Sequence, residues 1–185
     1  MKHITRILTL LLALTFLFSL AACSEESPDV PSGFLLAENE GADYYFYYPS
    51  TWLLNRSDAG MTSAFVSDTD FSNVSVTVFT STGQYATLQE YAEEYYFKHF
   101  EGNFQNLSVE RNQDGSLKRE NLKIDDCDAM SVAYTAEFSG EEYSFRNWFI
   151  SYNGYIYSVL YTAKSGLYEI HLAEAQAIAT NLKFK

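Results

Sequence analysis

Tyr143 to Thr162 reads YSFRNWFISYNGYIYSVLYT, two aromatic and β-branched runs joined by Asn153-Gly154. Asn-Gly between such runs is the strongest short-range hairpin signal, because both turn residues must take positive φ. With these two as the turn, Tyr152 faces Tyr155, Ile150 faces Tyr157, Trp148 faces Val159 and Arg146 faces Tyr161. Phe145, Phe149, Ile156 and Leu160 point the other way, since side chains alternate along a strand. A hairpin apolar on both faces needs cover on both faces. The expected architecture is therefore α+β, with a central antiparallel sheet packed between helices.

The flanking chain supplies further strands and two helices. Gly33 to Glu38, with Phe34, Leu35 and Leu36, and Asp43 to Tyr48 read as strands, the second ended by Pro49, with Ser50-Thr51-Trp52 turning back. Ala64 to Ser67 is a short strand, and Asn73 to Phe79 alternates Val74, Val76 and Val78 against Ser75 and Thr77. Thr87 and Glu90 form a capping-box pattern. Leu88, Tyr91, Ala92, Tyr95 and His99 follow at helical spacing, predicting a helix over 88–100 closed by Gly102. Leu107–Glu110 and Leu117–Ile124 read as strands around Asp114-Gly115, with 118–126 at an edge. Ala129 to Phe138 is a strand placing Met130, Val132, Tyr134, Ala136 and Phe138 on one face. Tyr168, Leu172, Ala175, Ile178, Ala179 and Leu182 mark a closing helix over 167–181.

The N-terminus carries an export pattern. Lys2 and Arg6 precede an apolar run from Ile7 to Leu20, too short and wrongly flanked for an ordinary spanning helix. It ends in Leu20-Ala21-Ala22-Cys23, which resembles the lipobox of bacterial lipoproteins. The resemblance implies cleavage before Cys23 and a diacylglycerol on its sulfur, often with a further acyl chain on the new amino terminus. Domains are thus expected as a signal peptide over 1–22, a lipidated tether over 23–32 and a single domain over 33–185. Multiple acyl chains hold a protein on a membrane where one would be marginal. The location expected is a bacterial membrane, on its extracytoplasmic face.

Removing the leader takes two basic residues and no acidic ones, so the formal charge of −12 becomes −14 on 163 residues. That balance excludes a basic nucleic-acid groove and electrostatic adhesion to anionic lipid. With Cys23 lipidated, Cys127 is left alone, so no intrachain disulfide is expected and Cys127 reads as a small buried hydrophobe.

The strand order, the Tyr45-Tyr47-Tyr48-Pro49-Ser50-Thr51-Trp52 corner and the Tyr-rich Gly154–Ala163 strand before the last helix resemble the PsbP/Mog1-type fold, an α/β/α sandwich. The resemblance covers nearly all of 33–185. That family includes photosystem II extrinsic subunits, a Ran-binding nuclear transport factor and many bacterial lipoproteins. It implies no catalytic residue here, and its photosystem binding uses a basic face that this acidic chain lacks.

The residues themselves offer little chemistry. His99 and His171 have no metal-type spacing to one another. Asp68/Asp70 and Asp125/Asp126/Asp128 read as solvated turns, with no calcium-loop pattern. No phosphate loop, GxSxG or HExxH is present. The expectation is a non-enzymatic, membrane-anchored module without a cofactor that binds an envelope protein. The alternative is a module holding a small ligand in a cleft between sheet and helix. Candidate binding residues are Arg146, set among apolar neighbours, and an aromatic patch drawn from Tyr44, Tyr45, Tyr47, Tyr48, Tyr152 and Tyr155. The oligomeric state is left open.

Overall fold

A computed structural model describes residues 29–37, 39, 41–55, 62–79 and 82–185. Cys23, the leader and most of the tether lie outside the described residues. The strands are β1 (Phe34–Ala37), β2 (Tyr44–Pro49), β3 (Leu53–Asn55), β4 (Thr62–Phe65), β5 (Asn73–Phe79), β6 (Gln105–Val109), β7 (Arg119–Ile124), β8 (Cys127–Phe138), β9 (Glu141–Tyr152), β10 (Tyr155–Lys164) and β11 (Lys183–Phe184). Helix α1 is continuous through Leu88–Tyr91, Ala92–Tyr96 and Phe97–Glu101, and helix α2 is Tyr168–Thr180.

The large sheet runs β3-β4-β5-β10-β9-β8-β6 with β7 beside β6 on the outer edge of β8, and every pairing is antiparallel. The β9–β10 hairpin sits in the middle with the expected register: Tyr155 opposite Tyr152, Tyr157 opposite Ile150, Val159 opposite Trp148 and Tyr161 opposite Arg146. Asn153 and Gly154 both take positive φ, at 46° and 79°, as a two-residue hairpin turn of this twist requires. The turns Ser139-Gly140 and Asp125-Asp126 do the same, so β7 to β10 form a meander of tight hairpins. The acidic run at 125–126 is thus the turn itself, since aspartate tolerates the left-handed region better than most residues.

Two apolar cores lie on the two faces. On one, Trp148, Ile150, Tyr157, Val159 and Tyr161 pack under α2 and under the small sheet β1-β2-β11. On the other, Phe145, Phe149, Ile156, Met130, Val132 and Tyr134 pack under α1. Trp52 is buried on the α2 side, as its corner position predicts.

Four expectations are corrected. The α1 stripe is not 88, 91, 92, 95, 99: Tyr96 and Phe97 are buried, whereas Tyr95 and His99 are exposed and stacked on each other. The cause is a π segment at Ala92–Tyr96, whose wider turn moves the buried face on by one residue. The strands β6 and β7 do not form a hairpin with each other. β8 is twelve residues long and accepts both along one edge, while the two arms of the 110–118 turn meet at an isolated bridge, Arg111 to Leu117, and a Lys118–Glu110 ion pair. Phe138 and Val78 leave the buried faces their alternation predicted, and each lies near the end of its strand. Cys127 is half-buried rather than buried, beside the Asp125-Asp126 turn.

Candidate functional site

The hairpin turn end of the sheet gathers three of the seven candidate binding residues. Tyr152 and Tyr155 are register partners flanking Asn153-Gly154. The C-terminal strand β11 pairs with the start of β2 and brings Lys183 opposite Tyr45. The Tyr152 ring stacks on Phe184 at 4.0 Å and its hydroxyl donates to the Lys185 carbonyl at 2.8 Å. The Lys185 ammonium lies 5.1 Å from the centre of the Tyr45 ring, a cation–π distance. Tyr155 is 46% exposed and the other two are half-buried. The result is an amphipathic surface of rings held by the chain terminus, with hydroxyls and one cation at its rim.

The rest of the expected patch is not there. Tyr47 is 1% exposed, and Tyr44 and Tyr48 are buried as well. Tyr44 and Tyr48 lie with Phe46 on the side of β2 that packs into the core under α2. Tyr44 donates to Thr62 Oγ1 at 2.9 Å, so its hydroxyl is satisfied within the protein.

Arg146 lies elsewhere and is structurally occupied. Its Nη2 donates to Glu120 Oε2 at 3.0 Å and to Ser131 Oγ at 2.8 Å, tying β9 through β8 to β7. It does not line the cleft beside α1.

That cleft, of about 620 Å³, opens between the start of α1 and the β7–β8 edge, lined by Tyr85, Gln89, Arg119, Asn121, Met130 and Ile156 among others. Thr87 Oγ1 accepts from the Glu90 N–H at 3.1 Å, and the Glu90 carboxylate reaches back to the Ala86 N–H at 2.8 Å. The capping residues beside the cleft are therefore engaged with the helix. Arg119 donates to the Asn121 side chain.

Sequence reasoning missed two polar arrangements. His171 Nε2 lies 3.2 Å from Asp70 and Nδ1 lies 2.8 Å from Glu174, with Trp52 edge-on at 6.0 Å. This joins the β4–β5 turn to α2. Beneath α1, the Tyr96 and Tyr134 hydroxyls share a 2.9 Å hydrogen bond next to the fully buried Asn147, which accepts from Ser158 Oγ at 2.9 Å. Burial pushes the Tyr96 hydroxyl up to about 12 against the opposing hydrogen bonds of Tyr134, Asn147 and Ser158. Burial likewise raises Tyr134 well above the ordinary range. Both stay neutral and serve as hydrogen-bonding core groups. His171 and Glu174 are local (i, i+3) neighbours on α2, but the Asp70–His171 and Tyr96–Tyr134 contacts join residues far apart in the chain and carry no local signal. Among the described residues no group of three or more His, Cys, Asp or Glu side chains could hold a metal ion, and no helix is long and apolar enough to cross a membrane.

No family model matches the chain, and no curated protein matches it in sequence. Solved structures do. The cyanobacterial PsbP protein CyanoP of Synechocystis sp. PCC 6803 matches with a TM-score of 0.59 at 9% identity, over 89% of this chain and 99% of that one. A Bacteroides thetaiotaomicron VPI-5482 protein matches with a TM-score of 0.52 at 15% identity, over 83% of this chain. This chain spans about half of that protein, 49%. A Pseudomonas aeruginosa protein of unknown function matches with a TM-score of 0.51 at 16% identity, over 80% of this chain and 94% of that one. Identity this low speaks to backbone arrangement and not to activity. With an antiparallel sheet covered by α1 on one face and by α2 on the other, the chain has the PsbP-like α+β fold.

Proposed function

We propose that this protein is a non-enzymatic lipoprotein of the bacterial envelope, anchored through Cys23, that binds another envelope protein through the aromatic surface at the hairpin turn end. The observation that carries the reading is the gathering of Tyr45, Tyr152 and Tyr155 around the C-terminal Phe184-Lys185. Tyrosine presents a large, rigid, amphipathic contact area at low entropic cost, and such rings dominate protein–protein hot spots. Here the rings are braced by strand pairing and by the chain terminus, so little ordering remains to be done on binding. The lipobox-like Leu20-Ala21-Ala22-Cys23 supports the anchoring.

Photo-crosslinking in the native envelope tests it. A benzoylphenylalanine at position 155 should capture one stoichiometric neighbour, while the same group at Gln113, on the distant 110–118 turn, should not. No adduct at 155, or the same adducts at both positions, overturns the protein-binding reading. Replacing Cys23 with serine tests the anchor separately, by loss of membrane association.

The cleft of about 620 Å³ beside α1 favours a second reading, a small-ligand carrier. Its volume is in the range of small-molecule sites, and its lining mixes Arg119, Asn121 and Gln89 with Met130 and Ile156. Native mass spectrometry of the protein purified from its own envelope separates the two. A retained small molecule released by Asn121→Trp would favour the carrier.

A further inference from the structure

Among the described residues, the three most exposed large apolar side chains are Phe71 at 72%, Ile170 at 64% and Phe138 at 57%. All three lie at one end of the sheet, opposite the Asn153-Gly154 turn. Phe138 closes β8 at the Ser139-Gly140 turn, next to the start of β9. Phe71 leads into Asn73, which pairs with Thr162 near the end of β10. Ile170 is in the first turn of α2, just past that same end of β10. A groove of about 440 Å³ runs beside Phe71, lined also by Tyr143, Lys164 and Leu167.

The tether enters the domain at this end too. The Gly33 carbonyl accepts from the Ser50 N–H at 2.9 Å, two residues before Trp52. The Trp52 ring meets His171 at 6.0 Å, and His171 meets Asp70 at 3.2 Å. Ile170 precedes His171 and Phe71 follows Asp70. Val30, in the last part of the tether, is exposed as well. From Ser24 to Ser32 the tether has nine residues, a reach of roughly 30 Å at full extension.

We infer that this end of the domain rests on the lipid surface, with Phe71, Ile170 and Phe138 entering the headgroup layer and the Tyr45–Tyr152–Tyr155 surface turned away toward the partner. The inference rests on the anchoring proposed above. A short tether that starts in the bilayer and ends near Trp52 and His171 keeps this end of the domain near lipid at high effective concentration, so even weak apolar contacts suffice to set the orientation. Exposed rings and aliphatic groups favour that interface. Several carboxylates at this end are paired, Asp70 with His171 and Glu141 with Lys164 at 2.7 Å. Glu142 and Glu169 add negative charge beside them, so the surface chosen is zwitterionic, and anionic lipid should weaken the contact.

The test uses the lipidated full chain with Cys127→Ser and one nitroxide, at Thr69→Cys near Phe71 or at Tyr155→Cys at the other end, in phosphatidylcholine vesicles. Flotation with the vesicles reports the anchor, and the ratio of oxygen to water-soluble nickel accessibility reports depth. The expected result is flotation of both, with a severalfold higher ratio at 69 than at 155. Adding phosphatidylglycerol should shrink the difference, and Phe71→Ala/Phe138→Ala/Ile170→Ala should abolish it without loss of flotation. Equal, aqueous ratios in a chain that floats overturn the orientation and leave the anchor standing. A label at 69 that is immobilised only in native envelope membranes overturns it in favour of a protein covering this end. A chain that does not float removes the anchor, and the orientation falls with it.

Discussion

The Asp125 carboxylate accepts the Phe184 backbone N–H at 2.8 Å and the Lys183 ammonium at 2.9 Å, so the β7–β8 turn holds the C-terminal strand in place. The Phe184 ring then stacks on Tyr152, and the Lys185 carbonyl receives the Tyr152 hydroxyl. A turn residue 59 positions away thereby fixes the tyrosine surface. Asp125→Asn keeps tolerance of the left-handed backbone but loses the charge. It should cost about 1–2 kcal/mol in denaturant unfolding and weaken crosslinking from position 155. Unchanged crosslinking would show that the tail does not brace the surface.

Acid stability should track two aspartates. At both, burial pushes the pKa up but is outweighed: by the Phe184 N–H and Lys183 at Asp125, and by Ser72 and His171 at Asp70, so each lies below the ordinary range. A folded pKa below the unfolded value of about 3.9 gives stabilisation that is complete above that value. It is lost as pH falls through the folded pKa. Urea midpoints between about pH 5 and pH 2 should therefore fall steeply, and Asp70→Asn should flatten part of that fall. An unaltered slope would remove the Asp70–His171 contact from the account.

The π segment makes a direct comparison of neighbours possible. Tyr96→Ala removes a fully buried ring and should cost about 3–5 kcal/mol. Tyr95→Ala, on the exposed side, should cost under about 1 kcal/mol. The reverse order would mean a regular α-helix with the 88, 91, 92, 95, 99 stripe inward.

The Tyr96–Tyr134 pair should behave as a coupled unit. Tyr96→Phe or Tyr134→Phe alone leaves a buried hydroxyl short of a partner, a cost of about 1–2 kcal/mol each. The double variant should lose less than the sum, by about 0.5 kcal/mol or more. Simple additivity would mean that the two hydroxyls find other partners.

Gly154 has open space around it, and its φ of 79° is the whole reason for glycine there. Gly154→Ala should cost about 1–2 kcal/mol through the backbone alone. A thermal shift near zero would show that the turn relaxes to another type.

Local pattern along the chain specifies the elements and the central pairing. Asn153-Gly154 with alternating aromatics fixes turn, register and both faces at once, because a one-residue slip would turn every buried ring outward. The α2 stripe, the Trp52 corner and the edge position of 118–126 follow from the same local rules. Which tyrosines face solvent depends on the packing of the whole fold. Tyr45 and Tyr47 look alike in sequence and alternate onto the same side of β2, yet Tyr45 is half-buried beside Lys185 and Tyr47 is enclosed. The same holds for the π turn in α1, for the sharing of one edge of β8 by β6 and β7, and for the exposure of Phe71, Ile170 and Phe138 at one end of the sheet. The physical reason is common to all of these. Local pattern sets which side of an element is apolar, whereas what lies against that side depends on contacts between residues distant in the chain, which no window of sequence contains.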